Sequence, residues 1–370
     1  MDKIAVILYG NIRYDGRVQK EIASLKKNRK EVILFCSDFD EDDFKENYNF
    51  EIKVIKNKVE KRGALYTFLN LRKFQKEVLK ELKNIKVQYI HCNDLNTLIM
   101  AKKLSKFGKI IYDAHELFPE SQESKIKRAI WNFIEKINIK YVYKIIQPEY
   151  NRKKYFSQKH NINIKNITLI ENFPLNIKNS FKGEENYFQK KFDYQDKNKK
   201  IALYIGMVMP KRNILEMIKG IKEFENLTFF CIGKSSDKAY LKKLREYIKE
   251  NKLDNRVFIK EAIPQKEVML ATISADISFI FYQNINLNNY YCASNKLYEC
   301  LNSGLKIITN DYPGILDVTK GIPNVYNVKE INTDEIKRGI EILLKEEKVI
   351  ETDYYWENQE EKFIKIYSEN

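Results

Sequence analysis

Apolar positions along the chain fall into short β-branched runs, separated by stretches with a helical period. In the first half, the runs Ile4–Tyr9, Val32–Cys36, Ile52–Ile55, Tyr89–Cys92, Ile110–Tyr112, Lys144–Gln147 and Ile167–Ile170 predict strands. Between them, Gly16–Lys27 and Asn96–Phe107 repeat apolar residues at helical spacing. Strand alternating with helix is the pattern of parallel βαβ units. After Glu171-Asn172-Phe173-Pro174 the pattern lapses. Residues 176–200 are rich in Lys, Asn, Asp and Glu with no sustained period, which predicts a linker over 173–200 containing a mobile loop.

The alternation then restarts. Strands are predicted at Ile201–Ile205, Thr228–Ile232, Val257–Lys260, Ile277–Phe281, Lys306–Thr309 and Val325–Val328. Helices are predicted at Ile214–Phe224, Ala239–Asn251 and Asn295–Asn302, with a charged, aromatic helix over Asp353–Tyr367. The expected architecture is α/β, with two Rossmann-like, doubly wound domains over 1–172 and 201–350. A crevice where the C-terminal strand ends face each other is the expected ligand site. At 370 residues the chain exceeds what one core ordinarily serves, which agrees with two domains.

Composition narrows the function. No stretch reaches about 18 uninterrupted apolar residues, so no membrane-spanning helix is expected. The N-terminal MDKIAVILYG runs straight into a strand and does not read as a secretory signal. Five widely spaced cysteines without a C-x-x-C pair read as reduced, mostly buried thiols of a cytoplasmic protein, with no zinc site implied. The net charge is +15, and it is lopsided: residues 1–172 carry 35 Lys and Arg against 22 Asp and Glu, while residues 173–370 carry 31 against 29. A basic half meets something anionic, or is a lysine-rich solvated surface; charge alone does not separate the two. No recognition-helix, zinc or aromatic-platform motif supports a nucleic-acid partner.

Several segments place chemistry at strand ends. Tyr9-Gly10-Asn11 leads to Arg13, Asp15 and Arg17 ahead of a helix, where backbone can approach a ligand and helix N–H groups are unpaired. There is no G-x-G-x-x-G, so a nicotinamide dehydrogenase is poorly supported. Tyr112-Asp113-Ala114-His115-Glu116 sets a histidine between carboxylates just past a buried strand, where it can exchange hydrogen bonds with a sugar hydroxyl or a phosphate. A structural cap on the next turn is the plainer alternative. His91 is a weaker candidate, and His160, in a basic polar stretch, is expected to be solvated.

In the second half, Tyr204-Ile205-Gly206-Met207 precedes Lys211-Arg212, cations suited to a diphosphate. A helix opening with Ser294-Asn295-Lys296 and bearing Glu299 one turn on offers amides to a phosphate and a carboxylate to a ribose. The acidic run from Asp38 to Asp43 contains a D-x-D spacing, but reads as a solvated loop rather than a metal site. Residues 62–83 set Leu65, Phe68, Leu69, Phe74, Val78 and Leu82 along one face between basic residues. That pattern suits a core-packed helix first, and an anionic membrane surface second.

In order, Tyr14-Asp15-Gly16-Arg17-Val18, Tyr112-Asp113-Ala114-His115-Glu116, Glu171-Asn172-Phe173-Pro174, Tyr204-Ile205-Gly206, Ser294-Asn295-Lys296-Leu297-Tyr298-Glu299 and Tyr355-Trp356-Glu357-Asn358-Gln359-Glu360 resemble the retaining glycosyltransferases of family 4 and their relatives. The resemblance spans nearly the whole chain. It implies a GT-B fold, with a nucleotide-sugar donor held by the second domain and a glycan, lipid-linked or protein acceptor approached by the first. The tail helix, 353–370, would pack back on the first domain.

By the same resemblance, Lys211 and Arg212 would stabilise the leaving diphosphate, and Ser294, Asn295 and Lys296 would meet the phosphates. Glu299 would bind the ribose, Ala262 and Ile263 would face the base, and Gly10 and Gly206 would leave room. His115 would contact the transferred sugar, with Arg17, Asp113, Glu116 and Tyr291 on the sugar or acceptor side. No metal or other cofactor is implied. The family commonly has a Glu eight positions before Glu299; Tyr291 stands there, which alters the sugar end of the donor pocket. Bacterial surface polysaccharide assembly, in the cytoplasm or on the inner face of the membrane, is the implied setting. The alternatives are a sugar-nucleotide epimerase of the same fold and a non-catalytic basic binding protein.

Overall fold

A computed structural model describes residues 3–38, 49–56, 64–181, 186–196 and 198–368. The chain divides into two compact units. The first comprises residues 1–172, 286–288 and 359–370; the second comprises 173–285 and 289–358.

The first unit is built on seven parallel strands: β1 (Lys3–Asn11), β2 (Glu31–Asp38), β3 (Glu51–Val54), β4 (Tyr89–Asn93), β5 (Lys109–Asp113), β6 (Val142–Gln147) and β7 (Ile167–Leu169). Their order is β3-β2-β1-β4-β5-β6-β7. Central strands covered on both faces read as unbroken apolar runs, and Ile4–Leu8 of β1 is buried throughout. The order in which strands are added reverses between the parallel neighbours β1 and β4, which opens a crevice at their C-terminal ends.

The second unit repeats the plan with β8 (Lys200–Ile205), β9 (Leu227–Ile232), β10 (Val257–Lys260), β11 (Ile277–Ile280), β12 (Lys306–Asn310) and β13 (Val325–Val328). The order β10-β9-β8-β11-β12-β13 places its own switch point between β8 and β11. Phe229, Cys231, Phe279 and Ile308 in the sheet meet Ile214, Met217, Leu244 and Ile340 from its helices in one buried cluster.

Several expectations are corrected. The stretch read as a linker holds a helix, Tyr187–Phe192, whose Tyr187 and Phe188 are buried with Tyr194, Leu203 and Phe230 in the second unit. Residues 182–185 and 197 of that stretch lie outside the described residues. The helix expected over Asn96–Phe107 is two short ones, Asp94–Leu98 and Ala101–Leu104. His160 is not solvated. Its side chain is 3% exposed, its Nε2 lies 2.9 Å from Glu135 Oε2, and Phe156 packs against its ring at 4.5 Å.

The helix Ala64–Leu82 buries Phe74, Val78 and Leu82 in the first unit's core, as a packed helix does, and leaves Phe68 and Leu69 exposed near its start. Arg62 and the acidic residues 39–43 lie outside the described residues, as does the side chain of Leu65. Among the described residues, no helix is long and apolar enough to cross a membrane. The five cysteines are free, and four of them are buried.

Candidate active site

In the first unit, His115 follows β5 and is held from four sides. Its backbone N–H donates to Asp94 Oδ1 at 3.0 Å, and its carbonyl accepts from Arg152 Nη1 at 3.0 Å. Its Nε2 lies 3.0 Å from Asn93 Oδ1 and 3.5 Å from Asp113 Oδ2. Its Nδ1 lies 3.6 Å from Asp94 Oδ2 and 3.8 Å from Asp15 Oδ2. Burial alone would discharge the ring. The charges of Asp94, Asp113 and Asp15 outweigh it and push the pKa up to about 10. His115 is therefore an imidazolium at neutral pH, with both ring nitrogens donating.

Asp94 is the residue that this geometry depends on and the sequence motif omits. It directly follows β4, opening the helix Asp94–Leu98 with a φ of 62°, a left-handed conformation costly for a residue with a Cβ, and its carboxylate meets the His115 backbone and ring. Burial pushes its carboxyl up to about 6, against the opposing charge of His115. Asp15 serves twice: it caps the helix Gly16–Lys27 by accepting from Val18 N–H at 3.0 Å, and it faces His115. The one available cue to Asp94 was its place at a strand end, directly after Asn93.

Arg17 and Asp113, expected on the sugar or acceptor side, are 3% and 0% exposed. Arg17 Nε and Nη2 donate to the two oxygens of Asp113 at 2.9 and 3.0 Å, and Nη1 donates to the Ile170 carbonyl at 2.9 Å. Arg17 Nε is also 3.1 Å from Glu21 Oε1. His91, beneath His115, lies 3.3 Å from Glu21 and 3.6 Å from Asp113, and its Nδ1 lies 2.5 Å from Tyr367 Oη. Burial opposes its charge, but hydrogen bonds to Asp113 and Glu21 raise its pKa to about 9. These groups are committed to one another, and Asp113 links them to the His115 ring.

Glu21, His91 and Asp113 offer three ligand atoms within 4.8 Å of one another. The Arg17 guanidinium already sits against both carboxylates, where a metal would have to enter. Glu116 accepts from Asn288 Nδ2 at 3.0 Å. Gly10, in β1, has Leu8 Cδ1 at 3.8 Å as the nearest atom to any added Cβ, so space remains beside it.

In the second unit, the C-terminal ends of β8 and β9 are two glycines packed backbone on backbone. A Cβ on Gly233 would come within 1.6 Å of the Gly206 carbonyl oxygen, and one on Gly206 within 2.8 Å of Lys296 Nζ. Gly233 was missed, although Ile232-Gly233 at the end of β9 repeats Ile205-Gly206 at the end of β8. Gly233→Ala is expected to force the two strand ends apart and destabilise the unit by about 3 kcal/mol. Urea denaturation checks this; an unchanged midpoint would show that the strand ends separate freely.

Around that turn the cations gather. Lys296 Nζ donates to the Ile205 carbonyl at 2.6 Å, and Arg212 Nη1 to the Phe281 carbonyl at 3.4 Å with its guanidinium over the Tyr282 ring at 5.1 Å. Burial lowers the Lys296 pKa, and the neighbouring Arg212 charge lowers it further. The helix Asn295–Asn302 opens here. Its N-cap, Ser294, makes no side-chain cap bond, and the buried Ser294 Oγ and Asn295 Oδ1 have no hydrogen-bond partner among the described residues. Two repelling cations thus stand beside a helix N-terminus and two polar side-chain atoms without partners, an arrangement that would suit an anion.

Glu299, one turn further along, is half-buried, and its charge acts on Lys296. Lys211 is exposed beside Arg212, and Ala262 and Ile263 follow β10 on the same end of the sheet. Tyr291 is half-buried with its ring 5.3 Å from that of Tyr290.

Residues 186–363 match the family of glycosyl transferases group 1. No curated protein matches the chain. Among solved structures, HepE (Alr3699) of Anabaena in complex with UDP and glucose superposes with a TM-score of 0.71 at 12% identity, covering 100% of both chains. Sucrose-phosphate synthase from Thermosynechococcus elongatus gives 0.70 at 13%, covering 100% of this chain and 98% of its own. WaaG, a glycosyltransferase involved in lipopolysaccharide biosynthesis, gives 0.67 at 10%, covering 92% and 90%. At such identities the structures speak for the fold, while the family match speaks for the second unit. Residues 186–363 match the glycosyl transferases group 1 family, and the chain as a whole has the GT-B fold.

Proposed function

We propose that the chain moves a sugar from a nucleotide-sugar donor, with retention at the anomeric carbon, to a glycan, lipid-linked or protein acceptor in bacterial surface polysaccharide or glycoconjugate assembly. One observation carries most of this reading: Arg212 and Lys296 stand together at the N-terminus of the helix Asn295–Asn302, beside unpartnered Ser294 and Asn295. The diphosphate would occupy that site, with Lys211 adding charge from its rim. As the bond from the anomeric carbon to phosphate oxygen breaks, negative charge gathers on the departing nucleotide, and preorganised cations offset it. Glu299 would hold the ribose, Ala262 and Ile263 the base, and Gly206 and Gly10 would leave room for the donor.

His115, being protonated, would donate to a hydroxyl of the transferred sugar. An imidazolium is no base, which counts against an epimerase that must abstract a proton there. Asp113, Arg17, Asp94 and Asp15 position that ring, and Glu116 and Tyr291 border the sugar or acceptor. HepE, solved with UDP and glucose, makes UDP-sugars the first donors to try. WaaG, involved in lipopolysaccharide biosynthesis, suggests the setting. The reading includes association with an anionic membrane on its cytoplasmic side.

The test is a donor panel. Stabilisation by one nucleotide in a thermal-shift screen, followed by acceptor-dependent release of that nucleotide, is expected. Release should persist in chelator, because protein cations take the part of a metal ion. Absence of both binding and release across UDP-, GDP- and CMP-sugars would reject the reading, and loss of release in EDTA would reject its metal independence.

A further inference from the structure

The helix Lys125–Asn138 has apolar residues on two sides. One side turns Trp131 and Ile134 toward the first unit's core, with Trp131 edge-on to Phe118 at 4.8 Å. The other side carries Ile126, Ile130, Phe133 and Ile137, which are 74%, 52%, 64% and 41% exposed. Their spacing of three and four residues lines them along one face over roughly 17 Å. Single exposed hydrophobes are ordinary, but four large ones in a row on one helix are not.

Charge identifies what covers them. Lys125, Lys127 and Lys136 are exposed on the same helix, and exposed Lys140 follows it. The helix's one acid, Glu135, is buried and bound to Lys159 and His160. The rim of the apolar stripe is therefore cationic, in the half of the chain that carries nearly all the net positive charge. A second copy docking face to face would set these lysines against their own symmetry mates, which like-charge repulsion opposes. Anionic lipid headgroups complement them, while the acyl boundary receives the isoleucines and phenylalanine.

We propose that this face lies in the surface of an anionic phospholipid bilayer. The inference rests on the membrane part of the reading above and sharpens it. The helix Ala64–Leu82, the basic amphipathic segment of the sequence, buries Phe74, Val78 and Leu82 in the core and, among its described residues, exposes Phe68 and Leu69 near its start, against four large apolar residues in line on Lys125–Asn138.

The test is sedimentation of the full chain with vesicles of phosphatidylglycerol and phosphatidylcholine, against phosphatidylcholine alone. Binding to the anionic vesicles is expected, with about tenfold less to the neutral ones. Ile130→Glu with Phe133→Glu should reduce binding by about tenfold or more, as should Lys125→Glu with Lys127→Glu and Lys136→Glu. Both variants alter exposed positions, so melting temperature and nucleotide-induced stabilisation should be unchanged. Undiminished vesicle binding in either variant would overturn the proposal. So would a dimer of the unmodified chain in light scattering that the Glu variants dissolve, which assigns the face to a second copy. Nucleotide stabilisation is read separately, so failure of docking and failure of donor binding remain distinct results.

Discussion

Asp113→Asn is expected to lower the stability of the first unit by about 3–5 kcal/mol, the range for removing one partner of a buried ion pair. Asp113 is fully buried and faces Arg17, His91 and His115 at once. Burial alone would raise its pKa, but the Arg17 and His115 charges hold it well below the usual carboxylate range. Asparagine keeps the shape and removes the charge, leaving three cations to share Glu21, Asp94 and Asp15. The thermal midpoint should fall by about 10 °C. A fall of a degree or two would mean that water or a shift of Arg17 replaces the lost charge.

The same cluster sets a pH dependence with a definite sign. His91 and His115 have folded pKa values of about 9 and about 10, above the 6.5 of an unperturbed histidine. Raised values in a base mean stability that is fully present below about 6.5 and lost as pH rises through 9 and 10. Asp94, raised from 3.8 to about 6, works against the fold as it ionises across that lower interval. Stability measured from neutral to alkaline pH should decline, and the decline should be blunted in Asp113→Asn, which has less raised pKa to lose. An alkaline limb of equal depth in both proteins would place the protons elsewhere.

The second large effect concerns transfer itself. On the proposed reading, replacing Arg212 and Lys296 together by alanine should lower kcat by about a thousandfold, as loss of preorganised charge at a developing anion does. The folded chain should hardly notice. Lys296 and Arg212 each donate to a single backbone carbonyl, and the two cations repel each other in the absence of an anion. Arg212→Ala alone should therefore leave the nucleotide-free melting temperature equal or slightly higher, while abolishing the rise that nucleotide produces. Stability and activity moving in opposite directions separate an anion site from a structural ion cluster. A variant that melts early and loses activity in proportion would make the pair structural.

What was legible from the chain follows from how far apart the cooperating residues lie. Strands buried on both faces announce themselves locally, so the runs Ile4–Tyr9 and Thr228–Ile232 read as strands without any partner. Gly206, Arg212, Lys296 and His115 stand at strand ends or helix starts, where topology collects ligands, and that placement is also local. The helix Tyr187–Phe192 was not legible, because polar neighbours hide four aromatic residues whose common burial against Phe230 depends on a strand that comes later. His160 looked solvated for a similar reason: Glu135, which binds it, is 25 residues away. Arg17 and Asp113 are 96 residues apart, and nothing in either motif says that each consumes the other. Asp94 needed its backbone angle to be noticed at all.

Tyr367 belongs to the first unit, yet it follows the entire second unit in the chain. Its hydroxyl meets the His91 ring, while its own ring packs edge-on to Tyr89 at 5.5 Å and to Phe363 at 5.4 Å. A ribosome that has delivered all seven strands of the first sheet has not yet delivered the group that seals its buried charges. During synthesis the first unit must wait, its histidine open on one side, until the second has emerged. Order of manufacture and order of completion are thus reversed: the half begun first is finished last.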